Sequence, residues 1–137
     1  MVKIDDVIEA LEIFITDGDH STQIYYNLKT FAFEYIPTIY SDSTFEEYED
    51  ETTFLPFYHD LYSSEIIKAF IDTISDSRIR GYMNQLFNGK GKYRRIKEYI
   101  YHLGIIDDYY TFTHDYLKRE AYRWCEENNI PYQKSNR

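Results

Sequence analysis

Apolar residues Ile4, Val7, Ile8, Leu11, Phe14 and Ile15 recur three and four apart, with acids between them. That period predicts an amphipathic first helix, and Asp5 and Asp6 suit the positive end of its dipole. Asp17-Gly18-Asp19 stops it. From Gln23 to Ile36 the pattern turns β-rich around Asn27-Leu28-Lys29-Thr30. Ile24, Tyr26 and Leu28 then line one face, while Phe31, Phe33 and Tyr35 form a second set facing a common core. A hairpin is predicted, although its turn lacks the glycine that tight hairpin turns favour. Pro37 opens a stretch to Thr53 in which Asp42, Glu46, Glu47, Glu49, Asp50 and Glu51 meet few aliphatic residues. Dense like charge predicts a mobile or weakly packed acidic segment over residues 38–53, with Phe45 and Tyr48 leaving room for one short helix. Phe54-Leu55-Pro56-Phe57 reads as an extended apolar piece that Pro56 confines to a sheet edge or a turn.

The remainder carries a helical period. Ser63 or Ser64 can cap a helix holding Ile66, Ile67, Phe70, Ile71 and Ile74, with Glu65 near its start. Asp76 or Ser77 can cap the next, which turns Ile79, Tyr82, Met83, Leu86 and Phe87 inward and has Gly89 past its end. Residues 93–103 make a third segment, ended by Gly104. Asp107 can start a last, longer helix through Phe112, Tyr116, Leu117, Tyr122 and Trp124, and Pro131 sets its limit. The expected fold is α+β in a single domain, residues 1–137. An N-terminal helix and β-hairpin are followed by a bundle of about four helices.

Sixteen tyrosines and nine phenylalanines make the chain heavily aromatic. Tyrosine buries a ring while its hydroxyl stays hydrated or bonded, so many should line the boundary between core and solvent. The net charge of −9 hides a division: residues 1–60 hold fourteen acids and two bases, residues 61–137 ten acids and thirteen bases. A chain so divided can attract a basic protein at one end and an anionic partner at the other. Equally, its halves can attract one another or an identical copy. Cys125 is single, which excludes an internal disulfide and makes a reducing cytoplasm the expected compartment. Asp5, Asp6 and Glu9 interrupt the first apolar stretch, so no signal peptide is expected. No run reaches the roughly twenty apolar residues that a bilayer span needs, and no membrane partner is expected.

The sharpest feature lies between Ser77 and Lys97, where Arg78, Arg80, Lys90, Lys92, Arg94, Arg95 and Lys97 are accompanied by no carboxylate. Gly89 and Gly91 free the backbone for left-handed angles, and the next helix start can offer amides to an oxyanion. Arginine can grip a phosphate through two hydrogen bonds, and Tyr93 and Tyr82 nearby can serve as stacking platforms. The spacing is not that of a phosphate loop, which needs Gly-x4-Gly-Lys-Ser/Thr after a buried strand. A plainer account has the glycines permit a bend and the arginines pair with the acidic half. The acids Glu46, Glu47, Glu49, Asp50 and Glu51 form the corresponding candidate surface for a basic partner. His20, His59, His102 and His114 are scattered without metal-ligand spacing, and no serine elbow, Cys-His pair or dinucleotide fingerprint is present. No metal, cofactor or catalytic residue is therefore expected.

Gly89-Lys90-Gly91-Lys92-Tyr93-Arg94-Arg95-Ile96-Lys97-Glu98 resembles the Gly-Lys/Arg-Gly-Ala-Phe-Arg-Arg-Phe-Lys-Asp/Glu signature of uncharacterised protein family 0158, a group of small bacterial proteins. Leu103-Gly104-Ile105 and Tyr109-Tyr110-Thr111-Phe112 are similar to that family's Leu-Gly-Leu and Trp-Tyr-x-Phe segments. Residues 124–130 are similar to its closing Trp-Leu/Cys-Glu-Glu-Asn-Gly-Ile, residues 4–12 to its opening helix, and residues 26–36 to its strand pair. The resemblance spans most of the chain and is strongest after Ser77. Lys92 stands for the usual alanine, Tyr93 and Ile96 for phenylalanines, Tyr109 for tryptophan and Thr113 for an arginine. The last change removes one member of any fixed cationic pair. The resemblance implies the same fold plan and a bacterial or phage origin, and carries over no catalytic residues.

These readings converge on a non-catalytic interaction or regulatory module with segregated acidic and basic faces and a protein partner. The alternatives are RNA or DNA binding through the Gly-Lys-Gly-Lys turn, or a phage-type inhibitor of a nucleic-acid enzyme.

Overall fold

The first apolar period folds as expected. After a two-residue strand β1, Val2–Lys3, the helix α1, Ile4–Thr16, buries Ile4, Val7, Ile8, Ala10 and Leu11. The computed structural model describes residues 1–16, 22–37, 47–57 and 61–135, and its class is α+β.

The hairpin forms from β2, Thr22–Asn27, and β3, Ala32–Pro37, paired antiparallel with Tyr26 opposite Phe33. Its turn closes without glycine because the Asn27 side-chain oxygen accepts from the amides of Lys29 at 2.9 Å and Thr30 at 3.0 Å. Such an Asx turn imitates a backbone turn, and Phe31 completes it at a φ of 62°. The inward placement expected of Leu28 and Phe31 is therefore wrong. Both are turn residues and are exposed, whereas Ile24 and Tyr26 are buried. A third strand, β4, Phe54–Pro56, pairs with the other side of β2, giving the order β3-β2-β4. Pro56 thus sits on an edge strand, where its missing N–H costs no ladder bond.

Four further helices among the described residues carry the rest. α2, Ser63–Asp72, has Tyr62 at its N-cap with no side-chain hydrogen bond, so neither Ser63 nor Ser64 caps it as expected. α3, Ser77–Leu86, is capped by Asp76, whose carboxylate accepts from the amides of Arg78 at 2.9 Å and Ile79 at 3.2 Å. α4 spans Lys92–His102 and α5 spans Ile106–Glu127. A final strand β5, Tyr132–Gln133, pairs parallel with β1. Two residues are too few to carry a period, so this pair leaves no trace in the hydropathy pattern.

The chain forms two compact units, residues 1–61 with 117–137 and residues 62–116; α5 contributes to both. In the first, Trp124 is surrounded by Tyr26, Phe33 and Phe57, with ring centroids 5.1–5.6 Å away. In the second, Ile67, Phe70, Ile71, Met83, Phe87, Ile96, Ile100 and Tyr109 form the core. Each fully buried aliphatic side chain there is worth about 1.5–3 kcal/mol over exposure.

Of the acidic segment, residues 38–46, including Asp42, Phe45 and Glu46, lie outside the described residues. Glu47–Glu49 is a single 3-10 turn that buries Tyr48. The Tyr48 ring stacks on Tyr25 at 4.5 Å, and its hydroxyl donates to Glu34 at 3.0 Å. Asp50 accepts from the Thr52 and Thr53 hydroxyls, and these bonds, the first from Thr52, hold its carboxyl below the usual range.

Candidate functional site

The second unit owes its corner to glycine. α3 ends at Leu86, and Gly89 and Gly91 follow with φ of 75° and 77°, angles that a side chain would resist. Gly91 is also the N-cap of α4 and offers no capping side chain. The turn is held by Arg95, whose guanidinium donates to the Lys90 carbonyl at 2.6 Å and to the Asn88 carbonyl. A Cβ on Gly91 would meet that guanidinium at 3.2 Å. The arginine and the bare glycine are thus one device.

The seven cations expected here fall into two groups. Arg95 closes the turn, Arg80 donates to the Ile74 carbonyl at 2.7 Å, and the Lys92 ammonium sits 4.7 Å from the Phe87 ring centroid and 5.3 Å from that of Tyr93. All three are half-buried. Arg78, Lys90, Arg94 and Lys97 are exposed. No ion pair links any of the seven to an acid among the described residues. Pairing with the chain's own acids, the plainer account of these residues, is thus not seen among the described residues. Arg78 and Arg80, two apart on α3, point to different sides, so the continuous cationic surface is that of the turn and α4.

Helix polarity sharpens the point. α1, α2 and α5 carry acids in their first turns, namely Asp5 and Asp6, Glu65, and Asp107 and Asp108. α3 has its anion one position earlier, in the Asp76 N-cap, whereas α4 has a glycine N-cap and no acid, and places Lys92 and Arg94 at the positive end of its dipole. Either of these two charges opposes the helix by about 0.3–1 kcal/mol, less where solvent screens it. Local choices that work against the fold tend to mark function.

At the far end of α4 is a groove of roughly 790 Å³ lined by Lys97, Glu98, Tyr101, His102, Ile106 and Tyr110. Tyr101 is 73% exposed and Tyr110 59%. Tyr82, expected to face inward, is also open at 47%, resting its edge on Tyr99 at 4.8 Å. Tyr93 packs edge-on against Phe87 at 5.4 Å and remains 39% exposed. The groove was not read from the sequence, yet a signal existed. Ile96 and Ile100 set the buried stripe of α4, and Tyr101 lies off it.

Elsewhere the chemistry is muted. Glu47, Glu49 and Glu51 are exposed, while Asp50 is occupied by the threonines. Burial, and then Glu126, pushes the Cys125 thiol up to about 11, so it stays protonated at neutral pH and is no nucleophile. His20 and His59 lie outside the described residues. Among the described residues no group of three His, Cys, Asp or Glu side chains is placed to hold a metal. Among the same residues, no helix is long and apolar enough to cross a membrane. Comparison with protein-family models, with curated proteins and with solved structures found no match to this chain.

Proposed function

We propose that the chain is a non-catalytic interaction module that docks an anionic macromolecule on the α3–α4 corner. One observation carries this reading: Lys90, Arg94 and Lys97 lie exposed along the turn and α4 with no acidic ion-pair partner among the described residues. The inverted first-turn charge of α4 supports it, since a bound polyanion would relieve that repulsion. A separate acidic surface is supplied by Glu47, Glu49 and Glu51 in the first unit, which suit a basic partner protein.

Heparin tests the corner as a generic polyanion. A chain of net charge −9 should be repelled by it unless a local field prevails. The protein is expected to bind at low salt and to lose affinity steeply as salt rises. Combined Lys90→Glu, Arg94→Glu and Lys97→Glu replacement should weaken binding by about tenfold or more, because all three contacts become repulsive. Unchanged binding after this reversal would refute the reading.

A further inference from the structure

We infer that the anionic partner is single-stranded nucleic acid, with phosphates following the cations of α4 and a base entering the groove between Tyr101 and Tyr110. This rests on the docking reading and names its ligand. Arg94, Lys97 and Tyr101 lie three and four residues apart, hence on one face of α4, and all are exposed. Lys90, exposed in the turn before α4, adds a further cation at the N-terminal end of that helix. An eleven-residue helix is about 16 Å long, so the stripe tracks consecutive phosphates rather than one.

The aromatic side chains decide between polyanions. Every exposed large apolar residue of residues 62–116 is a tyrosine: Tyr62, Tyr82, Tyr93, Tyr101 and Tyr110. A sulfated sugar or an acidic peptide has use for the cations and none for this many open rings. A strand with unstacked bases uses both, since any base has a π-face and stacking is tolerant of sequence. A duplex hides those faces. The groove volume, roughly 790 Å³, lies in the range of about 300–1,000 Å³ typical of small-ligand sites and admits a nucleotide. Glu98 on its wall can accept from a base amine or amide N–H, the kind of contact by which single strands are read.

The test compares probes on the intact chain by fluorescence anisotropy: a short single-stranded RNA, its duplex, an abasic strand of equal length, polyglutamate and heparin. The single strand should bind at least about tenfold more tightly than the abasic strand, the span of one stacked base. Tyr101→Ala with Tyr110→Ala should remove that margin and leave heparin binding unchanged; Tyr101→Phe with Tyr110→Phe, which keeps the rings, should retain it. Equal affinity for single-stranded, abasic and duplex probes overturns this inference and leaves polyanion docking standing. Polyglutamate binding as tightly as the single strand overturns it in favour of an acidic protein. Failure of every polyanion to bind at low salt defeats the docking reading as well.

Discussion

Tyrosine serves two purposes in the two units. In residues 1–61 with 117–137, none of the described tyrosines is exposed, and carboxylates take up hydroxyls: Glu34 that of Tyr48 and Glu126 that of Tyr132. In residues 62–116 only Tyr109 is buried and five tyrosines are exposed, Tyr93 beside Lys92 and Tyr101 and Tyr110 in a groove with Lys97. The same side chain thus acts as core filler where acids are plentiful and as surface where bases are. A phenol needs a hydroxyl partner to be buried cheaply, and acids supply acceptors that lysine and arginine cannot.

The comparison breaks first at its extremes. Trp124→Ala should destabilise the protein by about 3–5 kcal/mol, because it empties the centre of a four-ring cluster. Tyr101→Ala should change stability by no more than about 0.5 kcal/mol, as for other surface positions. Urea unfolding of both variants decides. If Tyr101→Ala proves costly, its ring belongs to the fold and the open-tyrosine account fails.

Much of this contrast was legible in the sequence. Long apolar periods such as Ile4 to Ile15 and Ile66 to Ile74 gave the helices, because burial repeats at a spacing only a helix satisfies. The segregation of Arg78 to Lys97 from the acids was likewise plain. What stayed hidden was decided by single contacts. Asn27 replaces the missing turn glycine with a side-chain acceptor, which left Leu28 and Phe31 in a turn instead of a strand. Arg95 grips carbonyls across the corner, which no spacing rule reveals. Tyr82 and Tyr101 look apolar in a periodicity count, so the sequence could not separate rings that pack from rings that wait.

Within the second unit, two glycines separate what the fold needs from what it leaves open. Gly91→Ala places a side chain at a left-handed angle and against Arg95, and should cost about 1–2 kcal/mol. Gly81→Ala, inside α3 with nothing within 4 Å of the new methyl, should gain up to about 1 kcal/mol. Thermal unfolding measures both. Gly91→Ala should also loosen the Arg95 bonds and so lower polyanion affinity, whereas Gly81→Ala should leave it alone. A neutral Gly91→Ala would mean that the corner tolerates another path and that Arg95 is free to bind.

The smallest effect probes a buried tyrosine of the first unit that lacks the acceptor Tyr48 and Tyr132 have. The Tyr26 hydroxyl is buried with no hydrogen-bond partner among the described residues. Burial, and then Cys125, pushes its ionisation from 10 up to about 12. An unmet hydroxyl opposes folding, so Tyr26→Phe should leave stability unchanged or raise it by up to about 1 kcal/mol at neutral pH. The sign at high pH follows from linkage. Because the folded-state value lies above the unfolded one, the native state holds the proton longer, and stability present below pH 10 is lost as pH rises toward 12. Tyr35 and Tyr48, also raised to about 12, add to that decline, so the variant should lose stability less steeply over this window without becoming flat. A loss above about 1 kcal/mol at neutral pH would show instead that the hydroxyl has a partner after all, as those of Tyr48 and Tyr132 do.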